Sequence, residues 1–224
     1  LNVVPLSQHF QVFCADLPGL GESDRMVEEY TADNIAAQVL NGIDHLLGAA
    51  NTFRLAGFSF GGIIGSHVAA LAGERVQQFA AIAPGALGLP MNIPELASLG
   101  GQRGADNVAR IHRENLGRLM IRDEARIDDL ALHLQLETVR PARARSGAIP
   151  RSDAAAKALA RCVCPIAGVW GELDVIALGH MPTRVKLFRD IQPDCPFEII
   201  EGAGHWVMYE RPDLCNEVLL KLLK

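Results

Sequence analysis

The sequence predicts an α/β protein, a mostly parallel sheet with helices on both faces. Three observations predict it. Five short apolar runs of strand length read as buried strands, each bounded by turn residues. Helical patterns lie between them, the alternation that a parallel sheet requires. The 224 residues are 49% hydrophobic and 21% charged, which suits one folded domain or one domain with an insertion.

The runs are Gln11–Ala15, Phe53–Gly57, Gln78–Ala83, Pro165–Trp170 and Phe197–Ile200. Thr31 is placed to cap a helix through about Leu47, with Ile35, Val39, Ile43 and Leu46/Leu47 on one face. Gly61–Ala72 reads as a helix of small residues that packs closely on a sheet. Pro212 suits a first helical position, followed by an apolar face at Leu214, Val218, Leu219 and Leu222. The stretch from Leu89 to Ala160 carries no strand pattern. It holds two predicted helices, Asp106–Ile121 and Glu124–Val139, with Asp123 as a cap between them. Ten arginines fall between Arg103 and Arg151. They form a solvated helical face, or one or two of them bind a substrate carboxylate, which guanidinium pairs bidentately.

Composition excludes several classes of function. The formal charge of -5 argues against a phosphate-binding surface and so against a nucleic-acid partner. No run of about 18 apolar residues exists for a membrane helix. The cysteines, Cys14, Cys162, Cys164, Cys195 and Cys215, are odd in number, which fits a reduced cytoplasmic setting better than a disulfide framework. Cys162-Val163-Cys164 lacks a second pair at metal-ligand spacing and reads as the lead-in to a buried strand. A dinucleotide fingerprint is missing too, since no third glycine follows Gly19 and Gly21 at the needed spacing.

The most specific local signal is Gly57-Phe58-Ser59-Phe60-Gly61, between a strand and a small-residue helix. A tight strand-to-helix turn crowds the backbone, so glycines must flank its centre, and the turn lifts the serine hydroxyl above the sheet edge. The helix behind it offers free N–H groups and partial positive charge, with the Phe60 N–H aimed at a developing oxyanion. A serine hydroxyl needs a base. Among seven histidines, His205 has the best context, on a glycine-flanked loop just beyond Phe197–Ile200. His45 and His67 fall within helices, His112 and His133 within the helical middle, and His180 is the reserve base. The base needs a carboxylate partner. Asp174, after Pro165–Trp170, fits better than Glu172, which comes earlier in the turn.

These stretches resemble the α/β-hydrolase fold superfamily, in its serine-nucleophile branch with a helical cap. Asp16-Leu17-Pro18-Gly19-Leu20-Gly21-Glu22-Ser23 is similar to the family's loop ahead of the first core helix. Gly57-Phe58-Ser59-Phe60-Gly61-Gly62 resembles its nucleophile elbow, Trp170-Gly171-Glu172-Leu173-Asp174 its acid turn, and Gly204-His205-Trp206 its histidine loop. The resemblance implies a core over residues 1–88 and 160–224 and a cap over 89–159. It implies Ser59, Asp174 and His205 as nucleophile, acid and base, with Phe58 and Trp206 at the substrate. It also places the first strands and the second oxyanion donor ahead of residue 1. The sheet is therefore expected to lack its amino-terminal strands, and loss of one donor costs ~10²–10³ in turnover.

The expected function is hydrolysis of a small-molecule carbonyl compound, a carboxylic ester first, with no metal or organic cofactor. Carbon–carbon bond hydrolysis of the meta-cleavage-product type is the alternative within the class. A catalytically impaired hydrolase-like binding protein is the alternative outside it. A bare sheet edge would favour a homodimer.

Overall fold

The computed structural model describes residues 1–101, 104–139 and 142–224. The chain opens with α1 (Val3–Ser7) and, after a long loop, α2 (Ala32–Leu47). Thr31 caps α2 as expected, its hydroxyl accepting from the Asn34 N–H. Next come β1 (Phe53–Phe58), α3 (Phe60–Ala72) and β2 (Val76–Ile82). Between β2 and β3 the described residues hold helices only: α4 (Ala105–Asn115), α5 (Asp129–Val139) and α6 (Ala154–Leu159). The chain then returns through β3 (Ile166–Gly171), α7 (Met181–Ile191), β4 (Phe197–Ile200), α8 (Val207–Glu210) and α9 (Pro212–Leu223).

The four strands are all parallel and lie in the order β1-β2-β3-β4. Their carboxyl ends therefore share one edge. Helices α2, α3, α6 and α7 cover one face, over a core that includes Ile35, Ile63, Phe79, Leu159, Trp170 and Phe188. Helices α1 and α9 cover the other, with Leu6 and Phe10 packed beside Ile82, Val169, Ile200 and Leu219. Burying each of these larger side chains contributes roughly 1.5–3 kcal/mol. Trp170, stacked on Phe197 at 4.9 Å and edge-on to Phe188 at 5.5 Å, ties β3 to β4 and α7.

Four expectations are corrected. Gln11–Ala15 is not a strand but a largely exposed loop. Its backbone groups pair with no strand among the described residues, and the outer side of the edge strand β1 is left unpaired. The predicted helix Glu124–Val139 is split: Glu124–Arg126 is one 3-10 turn, and α5 begins only at Asp129. Asp123 does cap that turn, accepting from the Ala125 N–H. The helix predicted to reach Ile121 is α-helical only to Asn115 and then loosens into a π-helical turn, Leu116–Met120. On α9, Leu219 is buried and Val218 and Leu222 pack half-buried against the core as expected, but Leu214 is exposed, and Cys215, Asn216 and Leu223 also face inward. Asn216 takes an inward place beside them because it finds polar partners, Asn2 and the Leu1 carbonyl. Helix α6 lies within 89–159, yet its Ala155 and Leu159 belong to the main core beside α3. Arg103 and Arg140 lie outside the described residues.

Candidate active site

Three loops converge at the carboxyl edge of the sheet. The first is the turn between β1 and α3. Ser59 sits there with φ at 49°, in the left-handed region that a side chain rarely occupies. The turn holds because the Ser59 N–H donates to the Ile82 carbonyl at 2.8 Å, and the Ser59 carbonyl accepts from Gly62 and Ile63 at 3.0 and 3.1 Å. A Cβ at Gly57 would collide with the Gly61 carbonyl, so the strand and helix approach this closely only with glycine. Phe60 is the first residue of α3, where an N–H has no acceptor within its own helix.

The second loop follows β3. Asp174 is 1% exposed. Its Oδ1 accepts from the Ile176 N–H at 2.9 Å, leaving Oδ2 for His205 Nδ1, also at 2.9 Å. Glu172 accepts from the Gly202 N–H at 2.9 Å and so tethers the two loops, with no bond to the imidazole. The third loop follows β4. His205 is 3% exposed, and its Nε2 lies 3.0 Å from Ser59 Oγ. The neutral tautomer with its proton on Nδ1 satisfies both bonds: Nδ1–H donates to Asp174, and Nε2 accepts from the Ser59 hydroxyl.

A cavity of about 180 Å³ opens above Ser59 and His205. Its lining is mostly apolar, with Phe60, Ile63, Leu87, Leu89, Met91 and Leu119 among the residues. Arg184 also lines it. That guanidinium is 3% exposed and donates to the carbonyls of His180, Pro90 and Ile176 at 3.0–3.3 Å. Burial pulls its pKa down, and the negative charge of Asp174 offsets part of that. None of the described arginines between 103 and 151 lines this cavity; Arg145 lines a second cleft of about 450 Å³ that shares Phe60.

Two residues expected to touch substrate, Phe58 and Trp206, are not among those lining the cavity. Phe58 packs under the imidazole of His205, ring centroids 5.0 Å apart. Trp206 stacks on Tyr209 at 4.7 Å, in a small cluster with Leu116, Ile121 and Ala131. The other histidines stand apart from the site. His67 is buried against Asp33 at 2.8 Å, His112 is buried outside the cavity lining, and His9, His45 and His133 are exposed. His180 enters the site only through its carbonyl. All five cysteines are free thiols.

Sequence reasoning missed Arg184 and Glu210. Each left a signal. Arg184 is three residues after Met181 and four before Phe188, on the same helical face as these two apolar residues. Glu210 closes a short apolar helix, where a charge is out of place unless it is bonded inside.

A parallel sheet with a serine turn at positive φ, facing a histidine loop at its carboxyl edge, is the arrangement of the α/β-hydrolase fold. The alpha/beta hydrolase family model matches residues 2–218, and the chain belongs to that family. The chain is 29% identical over 234 residues to the dihydrolipoyllysine-residue acetyltransferase component of the acetoin cleaving system of Pseudomonas putida. That match covers 100% of this chain and 59% of the relative. It is 40% identical over 79 residues to the pimeloyl-acyl-carrier-protein methyl ester esterase of Pseudoalteromonas atlantica, 35% of this chain and 28% of that one. The chain thus spans less than two thirds of the length of the curated relatives it matches. A meta-cleavage product hydrolase structure, CumD of Pseudomonas fluorescens IP01, superimposes with a TM-score of 0.74 at 18% identity, over 99% of this chain and 82% of that one. Carboxylesterase CesB of Bacillus subtilis superimposes with 0.72 at 19% identity, over 99% and 77%. At these identities the likeness shows the fold alone. No helix among the described residues is long and apolar enough to cross a membrane.

Proposed function

We propose that this chain is a serine hydrolase of small-molecule carboxylic esters. The observation that carries the reading is the continuous hydrogen-bonded path from Asp174 through His205 to Ser59, at 2.9 and 3.0 Å. In this reading Ser59 Oγ attacks the ester carbonyl while His205 Nε2 takes its proton. Asp174 holds the imidazole in place and stabilises the imidazolium. The Phe60 N–H donates to the oxyanion, where one such donor contributes ~10²–10³ in turnover. His205 returns the proton to the leaving alcohol, and water attacks the acyl-serine by the same route in reverse. A partly enclosed apolar cavity suits a short, uncharged acyl group. The name of one relative, an esterase of a methyl ester borne on an acyl-carrier protein, agrees with the ester bond.

Carbon–carbon hydrolysis of a ring-fission product would require a group to bind the substrate carboxylate. Among the described residues Arg184 is the arginine that lines the cavity, and its two Nη atoms are engaged by three backbone carbonyls. The ester reading is therefore preferred. A panel of p-nitrophenyl esters and ring-fission dienoates decides between them. The expected result is turnover of short-chain esters and none of the dienoates. Turnover of dienoates alone would overturn the assignment. The homodimer and a cytoplasmic location belong to the same proposal, and sedimentation tests the first of them.

A further inference from the structure

We infer that Glu210 is a positioning residue for His205, acting through the backbone of the histidine loop; this rests on the reading of His205 as the base. Glu210 is 1% exposed. Its carboxylate forms no ion pair among the described residues and is instead held by three backbone N–H groups. Oε1 accepts from Arg122 and Asp123 at 2.9 and 2.6 Å, and Oε2 accepts from Gly204 at 2.6 Å. One carboxylate thus joins the residue before His205 to the segment at 122–123. A second bond runs alongside it, from the Trp206 N–H to the Met120 carbonyl at 2.8 Å. His205 is flanked on both sides by backbone fixed to the same short segment, and Leu119 at the head of that segment lines the cavity.

A buried carboxylate is a poor way to gain stability alone. Desolvating it costs several kcal/mol, which an apolar side chain of similar volume would avoid. What the carboxylate adds is direction: short, charge-assisted bonds to three specific N–H groups. Gly204 fits the same purpose. A Cβ there would lie 2.8 Å from Arg122 Cγ and 2.9 Å from both Glu210 Oε2 and the Met120 carbonyl, too close for the loop to stay seated. The carboxylate and the missing side chain together set how far His205 stands from Ser59. Displacement of a base by about 1 Å costs about 10²-fold in rate.

The test compares Glu210→Gln and Glu210→Asp with wild type. Gln presents an N–H to one of the three donors, and Asp is one methylene too short to reach all of them. Thermal melts first establish that each variant is folded. The expected result is a fall of about 10–100-fold in kcat on a short p-nitrophenyl ester, with KM within about threefold. The downfield proton resonance of the His205–Asp174 bond should shift or broaden in step. Gly204→Ala should mimic this and combine non-additively with Glu210→Gln. If Gln does not fold, Asp carries the test. Folded variants with kcat within about threefold of wild type and an unchanged resonance overturn the inference. A wild type that turns over no ester, while the variants still displace that resonance, sinks the ester assignment and leaves the positioning role standing.

Discussion

The carboxyl edge of the sheet and the helical stretch between β2 and β3 solve opposite problems. At the edge, backbone groups crowd: Ser59 is held at positive φ, and Gly57 leaves no room for a side chain. Asp174 and His205 are almost wholly buried there. In the helical stretch, side chains on the surface do much of the joining. Arg113 pairs with Asp129 at 2.5 Å and Arg118 with Glu114 at 2.5 Å, all partly or largely exposed. Buried backbone geometry has few alternatives, whereas an exposed ion pair has many. The two regions should therefore respond very differently to substitution.

The largest effects belong to the edge. Ser59→Ala and His205→Ala should each lower kcat by about 10⁶-fold, and Asp174→Asn by about 10⁴-fold, with the fold retained by circular dichroism. Equal losses from substitutions in the helical stretch would erase the contrast. Gly57→Ala should cost about 3 kcal/mol of stability through the clash with the Gly61 carbonyl, read from urea unfolding.

The same contrast explains what the sequence disclosed. The loops bearing Ser59, Asp174 and His205 were legible because each follows an apolar strand and carries glycines that the tight turn demands. Thr31 was legible because capping is decided within three residues. Gln11–Ala15 misled because an apolar run states a preference for burial, not whether a neighbour is there to pair with it. Phe58 and Trp206 were legible only in part, for a related reason. Their position beside the site was readable, but not the direction of their rings, which depends on Tyr209 and the imidazole as partners. The inward place of Asn216 on α9 likewise depends on Asn2, more than two hundred residues away in sequence.

A smaller effect pairs the core on the α9 face of the sheet with the helical side. Burial pushes the Cys215 thiol from 9.0 up to about 12 in the core. Burial and the Asp128 carboxylate push Tyr209 from 10.0 up to about 12 on the helical side. A raised folded-state pKa gives stability that is full below the unfolded value and lost as the pH climbs through the folded one. Urea midpoints should be insensitive to these groups near pH 8 and fall between about pH 9 and about pH 12. A flat profile across that window would contradict the burial of both groups. Tyr209→Phe should remove the helical-side share alone.

The smallest effects belong to the exposed pairs. Arg113→Ala and Arg118→Ala should each change stability by less than about 1 kcal/mol and leave ester turnover within about twofold. A loss in kcat as large as that of Asp174→Asn would show that these arginines act at the site.

The most direct test of the account is covalent labelling of the wild-type chain by a fluorophosphonate, read by intact-protein mass. The account predicts one label per chain, on Ser59, absent in Ser59→Ala and strongly slowed in His205→Ala. No labelling of folded wild type, or equal labelling of Ser59→Ala, would contradict it.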